Sequence, residues 1–216
     1  MKVALIGASG FVGKAILNEL LSRGHQVRAV SRHPENVEQN PNLTFVKADV
    51  LQEDKLVAAL AGQDAVISTY NAGWDNPNLY SEFIEGSLAI QAGVKKAGLK
   101  RLIVVGGAGS LFVSPEVQLV DSPDFPEAWK MGALAAREYL NLLKAEKELE
   151  WTFLSPAIEM TPQTSGKRSG KYRIGLENPV YDENQRSIIS VEDAAVALVD
   201  ELEHPKHIRQ RFTVAY

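Results

Sequence analysis

Two hydrophobic periods alternate along this 216-residue chain. Short apolar runs with a β-branched bias mark strands, and longer stretches with an apolar residue every three or four positions mark helices. Val3, Leu5 and Ile6 form the first run, which suits a strand buried on both faces. Val12, Ile16 and Leu20, with Ala15 beside them, then share one helical face. Gln26–Ser31 alternates as a second strand, and Leu43–Lys47 is a third, after a polar loop at Asn36–Asn42. Lys55–Ala61 reads as a short helix closed by Gly62, and Asp64–Ser68 as the fourth strand. The irregular stretch Trp74–Asn78 leads to a helix at Leu79–Ala97, closed by Gly98, and Lys100–Val105 is the fifth strand. Leu111–Pro126 holds three prolines and no period, so a long loop is expected, of the kind that often forms a lid or binding loop. Glu127–Glu148 reads as a long helix, and Trp151–Leu154 as a sixth strand. Ser190-Val191-Glu192-Asp193 carries a capping hydroxyl and acids in the first turn, predicting a helix to about His204. Arg209–Tyr216 is the seventh strand.

This order predicts an α/β fold: a doubly wound parallel sheet of about seven strands with helices on both faces. Residues 1–216 suit one domain. Residues 159–184 are polar and rich in Gly, Pro, Lys and Arg, and are expected to form a small C-terminal insertion on the substrate side.

Composition narrows the classes. A net charge of −4 and a pI near 5.6 argue against nucleic-acid partners. With no cysteine, disulfides, thiolate catalysis and cysteine–metal sites are excluded. No apolar run is long enough to span a bilayer, and the first residues read as a core strand, not a signal peptide. A soluble cytoplasmic protein is expected. Its oligomeric state is not legible. His204 and His207 have helical metal spacing, but Pro205 intervenes and no third ligand is near, so surface positions and no metal are expected. Lys167, Arg168, Lys171 and Arg173 form a basic run, read as a solvated loop or an anion contact.

The chemistry begins at Lys2–Gly13, where Gly7, Gly10 and Gly13 fall three residues apart between strand and helix. In a phosphate-binding turn the first glycine allows the bend. The second lets a pyrophosphate reach the backbone, and the third lets helix and strand pack closely. The amides and positive dipole end of the following helix then face the phosphates. Ser9, Phe11 and Val12 belong to the same turn. Strand two ends at Ser31-Arg32-His33, without the carboxylate that an NAD-preferring site offers to the ribose diol. A guanidinium at Arg32 can pair with a 2′-phosphate, with Ser31 adding a hydroxyl, so NADP(H) is favoured over NAD(H). A solvated loop arginine is the other reading. Gly106-Gly107-Ala108-Gly109-Ser110 follows the fifth strand at the edge where ligands bind open α/β sheets. Its glycines leave room for a flat ring, and Ser110 is a candidate donor to substrate or else a turn cap.

The spacing G-x-x-G-x-x-G with Phe11-Val12 inside it, Asn71-Ala72-Gly73, and the glycine turn after the fifth strand resemble the short-chain dehydrogenase/reductase superfamily. The likeness runs to Ile188-Ile189-Ser190-Val191-Glu192-Asp193 and spans nearly the whole chain. It is nearest to the small atypical members known as NAD(P)H-binding or NmrA-like proteins. That resemblance implies a Rossmann-type fold. It implies adenine contacts at Asp49 and Val50, although Asp49 also reads as a helix N-cap. It implies a nicotinamide-ribose border at Thr69 and Asn71, and a proline against the nicotinamide at Pro156.

Most catalytic members of that superfamily carry Tyr-x-x-x-Lys on the helix after the fifth strand. None of the six tyrosines here has lysine four residues on. Ala133–Tyr139 resembles the stretch that begins at the lysine, which places Trp129 at the tyrosine position and Ala133 at the lysine position. Indole is not an acid near neutral pH, and alanine carries no charge. Lys130 reads as a solvated helix lysine or a ribose contact. Hydride transfer to a flavin, quinone or similar conjugated acceptor tolerates this loss, because water or the acceptor supplies the proton. Trp74, Trp129, Phe112 and Tyr172 are candidates to line such a pocket, or else core residues. The expectation is an NAD(P)H-dependent oxidoreductase of a small-molecule acceptor. The alternatives are a non-catalytic NAD(P)-sensing protein and a sugar-nucleotide epimerase/dehydratase-like protein.

Overall fold

The computed structural model describes residues 1–32 and 40–216. His33 and positions 36–39 of the loop expected after the second strand lie outside the described residues. In chain order the elements are β1 (Lys2–Ile6), α1 (Phe11–Ser22), β2 (Gln26–Ser31), β3 (Leu43–Lys47), α2 (Glu53–Leu60) and β4 (Ala65–Ser68). Then come α3 (Leu79–Lys96), β5 (Arg101–Val105), β6 (Phe112–Ser114), β7 (Val117–Gln118) and α4 (Glu127–Lys144). The rest are β8 (Glu150–Ser155), β9 (Arg173–Gly175), α5 (Val191–Glu203) and β10 (Gln210–Ala215).

Eight strands form one sheet in the order β3-β2-β1-β4-β5-β8-β10-β9. The seven expected strands all pair in parallel, and β9 adds an antiparallel edge on β10. The chain winds outward from β1 in both directions, which opens a crevice beyond the carboxyl ends of β1 and β4. This is the doubly wound Rossmann arrangement. Val3 and Leu5 point into the layer that holds α5 and the buried side of α1. Ala4 and Ile6 point into the layer of α2, α3 and α4. Burial on both faces is why β1, β4 and β5 read as nearly unbroken apolar runs.

Two stretches depart from the expectations, and a third shows contacts that its composition did not specify. Leu111–Pro126 contains the hairpin β6–β7 instead of being wholly irregular. The helix expected to reach Glu148 stops at Lys144, because the Glu146 carboxylate accepts from the Glu148 and Leu149 amides and turns the chain into β8. Residues 159–184 include β9, and much of the segment straps α1 and α5. The Ser169 and Gly170 amides donate to the buried Asp193 carboxylate, and Arg168 grips Glu19 through two nitrogens. Residues 177–178 alone of this segment bond directly to the loop after β5: Phe112 N donates to Glu177 O, and Asn178 donates to Phe112 O.

Candidate cofactor and acceptor site

The three glycines at the end of β1 hold three different spaces. Gly7 has φ +83°, and a Cβ there would lie 2.6 Å from Thr69 Oγ1. A Cβ on Gly13 would lie 2.0 Å from the Gly7 carbonyl oxygen, so helix and turn touch backbone to backbone. At Gly10 an added Cβ would meet, among the described residues beyond its chain neighbours and its own helix, only the Gly7 carbonyl oxygen at 3.5 Å. The space that the turn leaves open is therefore in front of the second glycine. Gly10 is also the N-cap of α1, where no side chain caps the helix and no acid occupies the first turn. The amides of Phe11, Val12 and Gly13 thus lack a side-chain acceptor, which suits an anionic group. Ser9 and Phe11 are exposed beside this opening, and Val12 is half-buried. This cradle fits a dinucleotide pyrophosphate.

The other predicted residues stand at the carboxyl ends of neighbouring strands. Thr69 follows β4, its hydroxyl donating to Ile6 O at 3.0 Å or Gly7 O at 3.1 Å, which ties the two sides of the crevice together. Asn71 Oδ1 accepts from Gly73 N at 2.7 Å and shapes the next turn. Ser31 ends β2, and the exposed Arg32 follows it. Asp49 accepts from Leu51 N at 3.0 Å, and the α2 cap is Gln52, so Asp49 shapes a turn instead of capping that helix. Val50 beside it is buried. Burial raises the Tyr70 phenol, and the charges of Arg32 and Asp49 both act on it, which brings β2, β3 and β4 together at one end. The Tyr70 ring itself turns away and packs on Gly86 of α3.

Gly106 and Gly107 follow β5. A Cβ on Gly106 would meet the Phe153 ring at 1.9 Å, so that ring forms a flat floor no larger residue permits. Pro156 is buried just past β8. Ser110, read from the sequence as a substrate donor or a turn cap, is 1% exposed, and its hydroxyl lies 3.0 Å from Arg211 Nη1. Trp129 sits in the first turn of α4 and is half-exposed. Trp74 is 60% exposed, and its ring covers Gly132, one turn further along α4. Ala133 packs against Gly109, where an added Cβ would lie 2.8 Å from its own. Small residues on α4 thus let both loops lie on the helix. Lys130 lies 3.7 Å from Glu127 on the same helix.

Burial pushes the phenols of Tyr70, Tyr139, Tyr172 and Tyr216 above their ordinary value. Tyr172, a candidate for the acceptor pocket or else the core, donates to Asp200 on α5 and belongs to the strap. His207, expected on the surface, is buried, with Nδ1 2.8 Å from Glu201 and its ring stacked on Phe212. Among the described residues no group of three His, Cys, Asp or Glu is placed to hold a metal, and no helix is long and apolar enough to cross a membrane. Surface hollows lie elsewhere, one at the amino ends of β1 and β2 and one between β3 and α2.

A doubly wound sheet with an open glycine turn under an uncapped helix defines a nicotinamide-dinucleotide-binding protein of the Rossmann type. The chain belongs to the NAD(P)H-binding family, whose sequence profile matches residues 7–205. It is 39% identical to YwnB of Bacillus subtilis over 219 aligned positions, covering 99% of this chain and 98% of YwnB. A Bacteroides thetaiotaomicron protein provisionally described as an epimerase is 50% identical, with a TM-score of 0.91 over 100% of this chain and 96% of its own. A Streptococcus pneumoniae protein provisionally described as an NADH-flavin reductase is 36% identical, with a TM-score of 0.86 over 100% and 99%.

Proposed function

We propose that this protein is an NADPH-dependent reductase that passes hydride to a small, flat conjugated acceptor, a flavin or a quinone, without a side-chain acid. The observation that carries this reading is the pair Trp129 and Ala133. On the register that the family resemblance implies, an indole and a methyl packed on Gly109 take the places of an acid and its lysine. Every tyrosine whose pKa is shifted is shifted up, away from proton exchange near neutral pH. Sugar epimerisation and alcohol–carbonyl chemistry need a proton acceptor at that place. Reduction of a conjugated ring does not, since solvent or the ring supplies the proton.

In this reading Gly10 and the first amides of α1 hold the pyrophosphate, and Arg32 with Ser31 holds the 2′-phosphate. Asp49 and Val50 border adenine, and Thr69 and Asn71 border the second ribose. Gly106, Gly107 and Pro156 form the bed of the nicotinamide, while Trp74 and Trp129 present aromatic faces to the acceptor. The cofactor, when bound, supplies the hydride. The chain's own task is to hold two flat rings in contact and keep water from the gap.

The test is NADPH consumption scanned against flavins, quinones and aldehydes. Turnover with a flavin or a quinone and none with aldehydes is expected. Efficient aldehyde reduction refutes a site without an acid. Tight NADPH binding with no turnover of any acceptor replaces the reductase reading with that of a sensor.

A further inference from the structure

Arg211, in β10, is a buried cation that the reading above leaves unused. Its side chain is fully buried and shares a sheet face with Phe153, its register partner on β8 and the floor beneath Gly106. Its fork reaches two distant segments. Nη1 donates to Ser110 O at 2.7 Å and to Ser110 Oγ at 3.0 Å. Nε and Nη2 donate to the Glu177 carboxylate just past β9. The same Ser110 carbonyl accepts from Gln118 Nε2 at 2.8 Å, and Gln118 accepts from Arg137 of α4 at 3.2 Å.

A fold does not need a guanidinium at such a place. Burying a charge is costly, and a well-packed apolar residue often serves stability as well or better. What an arginine adds is a rigid planar fork that fixes two partners at once. Here the partners are the last residue of the glycine loop and the chain beyond β9, which also holds Phe112 through Glu177 O at 2.9 Å and Asn178 Nδ2 at 2.8 Å.

We propose that Arg211 is a positioning residue for hydride transfer, clamping the Gly106–Ser110 loop to Glu177 so that nicotinamide and acceptor meet at a set height. The inference rests on the reductase reading. It assigns the segment beyond β9 a role in catalysis although that segment touches no part of the cofactor cradle.

The test compares Arg211→Met, Arg211→Lys and Glu177→Gln with the unmodified protein. Hydrogen exchange is followed in two peptides, 106–112 and 7–13, alongside NADPH affinity and acceptor kinetics. Expected are faster exchange confined to 106–112, unchanged NADPH affinity and a kcat lowered about tenfold in Arg211→Met and Glu177→Gln, since a 1 Å misplacement costs up to about a hundredfold. Arg211→Lys, which keeps one charged donor, recovers part of the loss. Unchanged exchange in 106–112 overturns the clamp, and faster exchange with unchanged kcat overturns its catalytic role. Should Arg211→Met fail to fold, Glu177→Gln decides the matter, because its carboxylate is half-exposed and its loss leaves the sheet intact. If the unmodified protein turns over no acceptor, the reductase reading falls and so does the catalytic role, while the exchange measurements still judge the clamp.

Discussion

Replacing Gly10 by valine separates the site from the fold. The backbone at Gly10 is extended, φ −74° and ψ 168°, a conformation that β-branched residues adopt freely. A Cβ there has a single neighbour, the Gly7 carbonyl oxygen at 3.5 Å, which is ordinary contact. The cost to the protein is then the weaker N-cap alone, about 1 kcal/mol or less. The branched side chain would fill the opening in front of the first turn of α1. A pyrophosphate kept out of that opening loses its charge-assisted bonds to the helix amides, each worth about 1.5–3 kcal/mol. Losing two of them weakens NADPH by roughly two to four decades. Calorimetric titration with NADPH, beside a thermal melt, reads both quantities. The expected result is a melt within a few degrees of the unmodified protein and little measurable binding. Binding retained within about threefold, with a normal melt, refutes the placement of the phosphates. Gly13→Ala is the converse probe. Its Cβ would stand 2.0 Å from the Gly7 carbonyl oxygen, and no rotamer relieves a contact between two backbones. That variant should lose about 3 kcal/mol or more of stability, and its melt should show it before any binding assay does.

Arg32→Ala should weaken NADPH by about one to two decades and leave NADH nearly unchanged, and Ser31→Asp should reverse the preference. Dissociation constants for both cofactors check this, and an equal loss for both reduces Arg32 to a loop cation. Trp129→Phe should leave kcat for a flavin nearly intact and raise the acceptor KM, because neither ring is an acid; steady-state kinetics that show kcat collapsing in a folded variant refute the account. Acid should destabilise the fold through Glu146. Burial works against its charge, but the Glu148 amide, Gln91 and Lys95 outweigh burial and hold its pKa down, from an ordinary 4.5 to about 2. A pKa depressed on folding gives stability that is complete above the unfolded value and lost as pH falls through the folded one, here from 4.5 to about 2. Glu146→Gln should therefore melt lower near neutral pH and lose less over that window, and parallel melting curves for the two proteins refute the assignment.

Much of this molecule was legible along the chain because the forces responsible act within a few residues. The glycine turn is such a case: bend, opening and close packing are demands on Gly7, Gly10 and Gly13 themselves. The Ser190 cap, whose hydroxyl accepts from Asp193 N at 3.1 Å, is another. Nearly unbroken apolar runs marked β1, β4 and β5, since a strand buried on both faces leaves no polar period, and alternation marked β2.

Partners brought from far along the chain were not legible. Ser110 read as a substrate donor or a turn cap, and nothing along the chain announced Arg211, 101 residues away, which β10 lays beside it. Arg173–Gly175 has no strand period, and it became β9 because the open edge of β10 offered it a ladder. Tyr172 was drawn to Asp200, and the buried His207 to Glu201, each polar group finding the partner that the fold put within reach. Trp74 settled on α4 because Gly132 leaves room for its ring. Sequence period sets which face of an element is apolar, whereas the identity of a neighbour depends on strand order and loop path, and these are settled only when the whole sheet closes.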